Sequence, residues 1–145
     1  FSYPAGEGFD LLVEGVAGDE VAARLLLRDE EFGHFVVTVP VGREAQVIVQ
    51  LRGDASPPHS AENSYRRAYT ALTYRQPSLN VEKRVRTDPG DQLVHLRQVM
   101  GAQGGLPIVV GGDTIGAVAV SGSPGGDKDE ACAKAGLDKV ADQLK

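Results

Sequence analysis

The clearest pattern along the chain is a pair of β-hairpins separated by helical segments. Residues 34–39 and 46–51 are rich in β-branched side chains and are joined by turn residues, which predicts the first hairpin. Residues 106–110 and 114–121 flank the glycine pair at 111–112, which predicts the second. Hairpins join antiparallel strands, so the pattern predicts an α+β fold with an antiparallel sheet.

The best-defined helix follows the first hairpin. Ser60 has the side chain of an N-cap, and Pro77 is a residue that ends helices. Between them the apolar positions recur at intervals of three and four residues, at Tyr65, Ala68, Tyr69 and Leu72. This stripe predicts a helix that packs on the sheet, and residues 116–120, which include no large side chain, would let another element lie close.

Two more helices are predicted in the second half of the chain. Residues 91–100 carry leucine, valine and methionine on one side of a helical pattern. The last helix begins near Asp127, with Glu130 three residues later in the position of a capping box. We expect substitution of Gly125 or Gly126 by valine to damage folding, since these glycines serve positive φ angles and close packing.

The first third of the chain is ambiguous. Asp19 fits the N-cap of a helix over residues 20–31, which is the preferred interpretation, although the leucines at 25–27 also fit a strand. Residues 9–16 are apolar enough to pack either as a strand or as an extra helical turn.

Composition limits the class of protein. The 145 residues, 15.3 kDa in mass, fit one domain over 1–145, and no apolar run approaches the roughly 18 residues that cross a bilayer. The single cysteine, Cys132, excludes a disulfide scaffold. The net charge of −5 argues against a general nucleic-acid binder. The first residues lack the pattern of a secretory signal, so a cytoplasmic location and export with a removed signal both stay open.

Charge is nevertheless uneven along the chain. Residues 1–31 carry eight acidic and two basic side chains, whereas residues 66–97 carry seven basic and three acidic ones. The basic stretch is either a site for a carboxylate or phosphate ligand or a solvated surface that faces an acidic neighbour.

The glycines form a distinctive sequence near the C-terminal end. The chain has 18 of them, and many lie in 101–112 and 116–136. A glycine-rich loop that opens a helix can bind phosphate, but Asp127 and its neighbouring acids occupy this helix end. The loop also lacks the lysine and serine or threonine of a P-loop, so a structural turn is the preferred interpretation.

These motifs resemble the GlcG/HbpS-like family, whose members are often labelled haem-degrading. The resemblance rests on Gly-Gly-Leu-Pro-Ile at 104–108 and on Ser-Gly-Ser-Pro-Gly-Gly-Asp-Lys-Asp-Glu-Ala-Cys at 121–132. Arg-Gly-Asp-Ala at 52–55 and Arg-Ala-Tyr-Thr-Ala at 67–71 agree with it. Residues 1–33 form a divergent N-terminal segment.

The resemblance implies a profilin-like α/β/α sandwich with a five-stranded antiparallel sheet. It also implies assembly into homo-oligomers and haem or a related tetrapyrrole as the small-molecule ligand. Members include haem-binding redox-sensing partners and a domain of corrinoid adenosyltransferases of the PduO type. A role in haem handling or redox sensing is therefore the leading hypothesis.

Histidines and arginines are the candidate haem contacts that follow from this hypothesis. Imidazole coordinates iron well, and the candidate axial ligands are His59, His34 and His95. Guanidinium groups match carboxylate geometry and could pair with haem propionates. The candidates for that contact are Arg66, Arg67 and Arg75. Each of these side chains also has an ordinary structural interpretation.

Two alternatives to haem binding remain. One is a small-molecule enzyme that acts on an anionic metabolite at a cleft between subunits, and the other is an accessory or structural subunit without a ligand. Known nucleophile patterns give the enzyme little support. Acidic neighbours oppose a thiolate at Cys132, and the serines at 121 and 123 do not form a nucleophile elbow.

Overall fold

The computed structural model describes residues 9–13 and 23–27 as backbone and residues 36–144 in full. The strands are β1 (Phe9–Val13), β2 (Ala23–Leu27), β3 (Val36–Val41), β4 (Gln46–Arg52), β5 (Gly105–Val110) and β6 (Asp113–Ser121). The helices are α1 (Ser60–Tyr74), α2 (Ser78–Thr87) and α3 (Gly126–Val140), with a 3₁₀ turn at Gln92–His95 between α2 and β5.

Strands β3 to β6 form one antiparallel sheet in the order β4-β3-β6-β5. Both predicted hairpins are confirmed. In the β5–β6 hairpin, Gly111 and Gly112 have φ of 59° and 89°, the left-handed values that a tight two-residue turn requires. The pairing of β3 with β4 shifts its register after Val39, next to Pro40, which has no amide hydrogen to give to the ladder.

The sheet has a different core on each face. On the α1 side the contacts are between small residues of α1 and β6, namely Ala68, Ala71, Ala117 and Ala119. On the α3 side the buried cluster contains mostly larger side chains, namely Val37, Val39, Ile108, Val118 and Val120, together with Ala133 of α3. The small residues of β6 therefore do bring a helix close to the sheet, as the sequence predicts, and the layers follow the α/β/α order.

The described sheet has four strands, and the expectation of five is wrong for these residues. Strands β1 and β2 pair with each other in a separate two-stranded ladder instead of joining it. At the free edge of the four-stranded sheet, β5 contains Pro107, which lacks a ladder donor. The segment before β5 makes hydrogen bonds to side chains of both α1 and α2, through Thr70, Ser78 and Glu82.

The helix predicted over 20–31 is wrong where the structure describes it. Residues 23–27 form β2, because the leucines pair across to β1, and β2 lies against α3. The strand alternative for 25–27 is thus the correct one. The apolar stretch 9–16 is a strand over 9–13, and the remaining residues of both predictions lie outside the described ranges.

The helix predicted over 91–100 is also wrong. Asp91 accepts a hydrogen bond from the amide of Leu93 and starts only the short 3₁₀ turn. Further on, the amide of Met100 donates to the Thr70 hydroxyl of α1. In a helix this amide would donate to a backbone carbonyl four residues earlier. The sequence reading missed α2, which follows Pro77 and buries Val81.

Both predicted helix caps differ from the structure. The residue before α1 is His59, and Ser60 is the first helical residue, with a buried hydroxyl that has no partner among the described residues. Gly125 precedes α3, and no side chain caps it. Glu130 bonds the Gln103 amide group instead of reaching back toward Asp127. Neither Gly125 nor Gly126 has positive φ, so that reason for the two glycines is wrong. Gly126 is required for close packing, since a Cβ there would lie 2.8 Å from the carbonyl oxygen of Gln103.

Candidate functional site

Helix α1 carries two of the six predicted site residues, Arg66 and Arg67, and two more, His59 and Arg75, flank its ends. Its sheet-facing side is lined by Ser64, Ala68 and Ala71, all fully buried. The Ser64 hydroxyl lies 2.7 Å from the hydroxyl of Thr38 on β3, which fixes the helix against the sheet. The tyrosines and arginines between these positions therefore point to the flanks of the helix.

Arg67 forms a buried ion pair that the sequence did not reveal. Its Nη1 lies 2.6 Å from Oδ2 of Asp129 on α3 and donates to the carbonyl of Val120 at 2.8 Å. The side chains of Arg67 and Asp129 are only 12% and 2% exposed. Ser123 completes the cluster, because its amide and hydroxyl both donate to Oδ1 of Asp129. The cluster joins α1, the end of β6 and the start of α3.

The other two predicted arginines lie in different surroundings. Arg66 donates from Nη2 to the carbonyl of Val99, which ties the segment before β5 to α1. Arg75 follows the last residue of α1 in the left-handed conformation, with φ of 54°, and its exposed side chain makes no hydrogen bond or ion pair with the described residues. The three predicted arginines thus do not converge on one place.

Two of the three predicted histidines are exposed. His59 stands at the start of α1, and His95 ends the 3₁₀ turn. Within the described part of the chain, neither imidazole has a hydrogen-bond partner. His34 lies outside the described residues. His59 and Arg75 flank opposite ends of α1, about 24 Å apart at the helical rise of 1.5 Å per residue.

A surface that the sequence reading did not identify lies beside α1. Tyr65 and Tyr69 are half-buried, with ring centroids 6.0 Å apart. Gln98 donates to the Tyr65 hydroxyl at 3.4 Å, which links the segment before β5 to this part of α1. Val94 and Leu96 in that segment are 53% and 49% exposed. The predicted helix over 91–100 concealed them, since a helix would have assigned Leu96 to a packed face.

Tyr74 lies further along α1, close to the ion pair between Arg84 and Asp91. Burial raises the pKa of the Tyr74 hydroxyl above its usual value. The Arg84 guanidinium opposes the rise, while the charge of Asp91 adds to it. The phenol therefore stays protonated and neutral at physiological pH.

Other classes of site find no support in the described residues. In these ranges no three His, Cys, Asp or Glu side chains gather closely enough to hold a metal ion. Cys132 is half-buried and packs against the core on the α3 side of the sheet. Among the helices that the structure describes, none combines the length and the hydropathy that a bilayer crossing requires.

Comparison with known proteins gives consistent results. The family described as haem degrading protein HbpS-like matches residues 20–138. The crystal structure of HbpS is 33% identical, with a TM-score of 0.68 over 74% of each chain. Klebsiella pneumoniae protein ORFY is 27% identical, with a TM-score of 0.66 over 74% of each chain. No curated protein matches the sequence significantly.

A more distant likeness concerns the fold alone. The structure of a PduOC:Heme complex is 23% identical and has a TM-score of 0.64 over 72% of this chain and 76% of that one. The family match spans most of the chain, and the HbpS structure agrees in sequence and fold. The resemblance drawn from the glycine-rich motifs is confirmed, and the chain belongs to the haem degrading protein HbpS-like family.

Proposed function

We propose that this chain is a haem- or tetrapyrrole-binding domain that works in haem handling or redox sensing as a homo-oligomer. The family description and the haem complex of the PduOC neighbour support a haem-related ligand. The observation on this chain that carries the proposal is that two exposed imidazoles, those of His59 and His95, have no hydrogen-bond partner among the described residues. Neutral imidazole is among the commonest protein ligands of haem iron.

The donor set fits haem better than a free metal ion. A protein-bound metal ion needs several side-chain ligands, and no such cluster forms in the described residues. The porphyrin nitrogens already fill four positions around haem iron, so one imidazole from the protein is enough to attach it. Bound haem would supply a redox-active iron, while the protein contributes the axial ligand and the surrounding charge.

The arginine contacts of the hypothesis remain predictions. Arg66 and Arg67 already serve backbone carbonyls and Asp129, so a propionate would have to compete with these partners. Arg75 is exposed and has no such competitor among the described residues. Exposed guanidinium groups attract a dianionic porphyrin with little cost in stability.

Haemin titration followed by absorbance tests the proposal. Binding through an imidazole is expected to sharpen and shift the Soret band and to saturate at a fixed stoichiometry. A variant with both His59→Ala and His95→Ala should lose this shift while keeping the far-ultraviolet circular dichroism of the parent. A wild-type protein that leaves the haemin spectrum unchanged at micromolar concentrations would exclude haem binding.

Assembly is tested separately. Size-exclusion chromatography with light scattering should give a mass that is a multiple of the 15.3 kDa chain. A single peak at the mass of one chain would contradict the homo-oligomer. The haem proposal would then depend on the titration alone.

A further inference from the structure

The four-stranded sheet has two outer edges, and they differ in what they offer to another strand. One edge is β5, and two of its positions have no amide hydrogen to give. The Gly105 amide already donates to the Ser78 hydroxyl at 2.9 Å, and Pro107 has no amide hydrogen. An added strand would find no donor at either position, so β5 is a poor edge for further pairing.

The other edge is β4, and it lacks these features. We call the outer side of Gln46–Arg52 the β4 edge. Residues 46–51 include no charged residue and no proline, two kinds of residue that protect edge strands from pairing. Val47 is 39% exposed on this strand, and among the described residues no other strand pairs with its outer side. An open, uncharged edge strand is a template for pairing with another chain.

The direction of the backbone groups along β4 follows from one hydrogen bond in the sheet. The Val120 amide donates to the Gly104 carbonyl, so residue 120 of β6 points toward β5. Backbone groups of consecutive residues point to alternate sides of a strand, so Ala119 points toward β3 and its partner Thr38 points back toward β6. Gln50 pairs with Thr38, and its N–H and C=O groups therefore face the outer side of β4.

A bulge changes the spacing of the outward groups on the β4 edge. Ile48 has no partner in β3, so the alternation along β4 shifts by one residue there. Val47 pairs with Pro40, which lies two residues after Thr38 and points to the same side of β3. The backbone groups of Val47 therefore face outward like those of Gln50, three residues away. A second β4 strand has the same spacing and can match it residue for residue.

We propose that the β4 edge pairs with the β4 edge of a second copy of this chain, antiparallel about a two-fold axis. The product is one continuous sheet with four strands from each copy. Gln50 of each copy lies opposite Val47 of the other, which joins outward groups to outward groups on both sides of the axis. The axis passes between Ile48 and Val49, which pack against the core on the α3 side, so the contact extends that core. This inference rests on the homo-oligomer of the proposed function, specifies its interface and does not depend on haem.

Charged side chains beyond the two ends of the β4 edge complement each other in this register. Arg43, before the strand, lies opposite Asp54 of the second copy, after the strand, and the two-fold axis makes this pair occur twice. Both side chains are exposed, and neither forms an ion pair within the described residues. On one chain the two residues are separated by the whole of β4, about 20 Å at 3.3 Å per residue, so they do not pair with each other.

Charge reversal tests the register. Arg43→Asp places carboxylates opposite each other at both ends of the contact, and it should raise the dissociation constant of the two-fold contact about tenfold. Asp54→Arg should act alike, and the double variant, which restores opposite charges, should recover most of the affinity. Lys83→Glu, an exposed reversal on α2, is the matched control and should leave assembly unchanged. Sedimentation velocity over a series of protein concentrations measures each constant, and a double variant that assembles no better than the single ones would overturn the register.

Amide hydrogen exchange tests the backbone pairing. The amides of Val47 and Gln50 should be protected in the assembled protein and should lose this protection in Arg43→Asp at low concentration. The inward amides of Val49 and Leu51 pair with β3 and should stay protected in both states. If wild-type oligomers exchange freely at Val47 and Gln50, the inference is overturned while the homo-oligomer stands. If the wild type is a single chain at every concentration, the homo-oligomer itself fails.

Discussion

At the scale of single residues, the pair of Arg67 and Asp129 is the strongest polar contact between α1 and α3. Substituting Arg67→Met leaves Asp129 charged, 2% exposed and without its cation. We expect a loss of about 3 kcal/mol in the free energy of unfolding, because an uncompensated buried charge is costly. Urea denaturation measures it.

The matched control for that substitution is Lys134→Ala. It removes the ion pair between Lys134 and Asp138, whose side chains are 66% and 64% exposed. The substitution should lower the free energy of unfolding by no more than about 0.5 kcal/mol. Equal losses for Arg67→Met and Lys134→Ala would show that the buried pair adds nothing beyond surface electrostatics. Sequence could not reveal the pair, because its members lie 62 residues apart.

Glycine is required at position 105 because the backbone of α1 lies too close for a side chain. A Cβ there would lie 2.5 Å from the carbonyl oxygen of Arg67 and 3.1 Å from the Ser78 hydroxyl. Gly105→Ala should therefore destabilise by about 3 kcal/mol, at the upper end for overpacking. Gly111→Ala, at φ of 59° with no atom within 4 Å, should cost only the left-handed strain of about 1 kcal/mol. Thermal unfolding of both variants checks the order, and a larger loss at Gly111 would refute it.

At the scale of elements, Ser78 connects α2 to the start of β5. Its hydroxyl donates to the Ala102 carbonyl at 2.6 Å and accepts from the Gly105 amide at 2.9 Å. Ser78→Ala leaves both backbone groups unpaired in a buried place, so we expect a loss of about 1–3 kcal/mol. Hydrogen exchange at the Gly105 amide should accelerate.

The exposed Thr87 provides the comparison for Ser78. Its hydroxyl bonds only carbonyls of its own helix, those of Lys83 and Arg84. Thr87→Ala should leave stability within about 0.5 kcal/mol of the parent. Unchanged exchange at Gly105 in Ser78→Ala would mean that the amide is protected by the β5 pairing and not by the serine.

The elements predicted correctly are those whose pattern is local. The hairpins follow from β-branched runs around Gly111 and Gly112, and α1 follows from its apolar spacing. The helix prediction for residues 91–100 failed because their apolar spacing fits a helix. Their backbone groups instead bond the side chains of Thr70 and Arg66, which lie about 30 residues earlier. The exposure of Val94 and Leu96 was missed for the same reason.

At the scale of the molecule, the family determines the fold more firmly than the ligand. The glycine-rich motifs identified the family from sequence, and Gly104, Gly105 and Gly126 prove to be places where two backbones or a backbone and a side chain nearly touch. Those contacts hold neighbouring elements of this chain close together. Ligand contacts in proteins are commonly made by side chains on exposed segments, which fold-level motifs do not specify.

The two faces of the sheet should be destabilised by opposite changes in side-chain size: the α3 side by a smaller side chain and the α1 side by a larger one. Ile108→Ala removes buried volume from the α3 side, where Ile108 is 2% exposed, and should cost about 2–5 kcal/mol. Ala119→Val adds volume on the α1 side, where alanines meet, and should cost about 1–3 kcal/mol through overpacking. Val109→Ala, at a 49% exposed position of β5, is the neutral control.

Both losses should appear in one transition, because the same β5–β6 hairpin contributes to both cores. Side chains of neighbouring residues in a strand point to opposite faces, so loosening either face frees the strands that the other face needs. Urea unfolding monitored by far-ultraviolet circular dichroism and by tyrosine fluorescence should give coincident midpoints for each variant. A stabilising Ala119→Val would show that the α1 side has unfilled space, and separate midpoints would show that the two layers unfold independently.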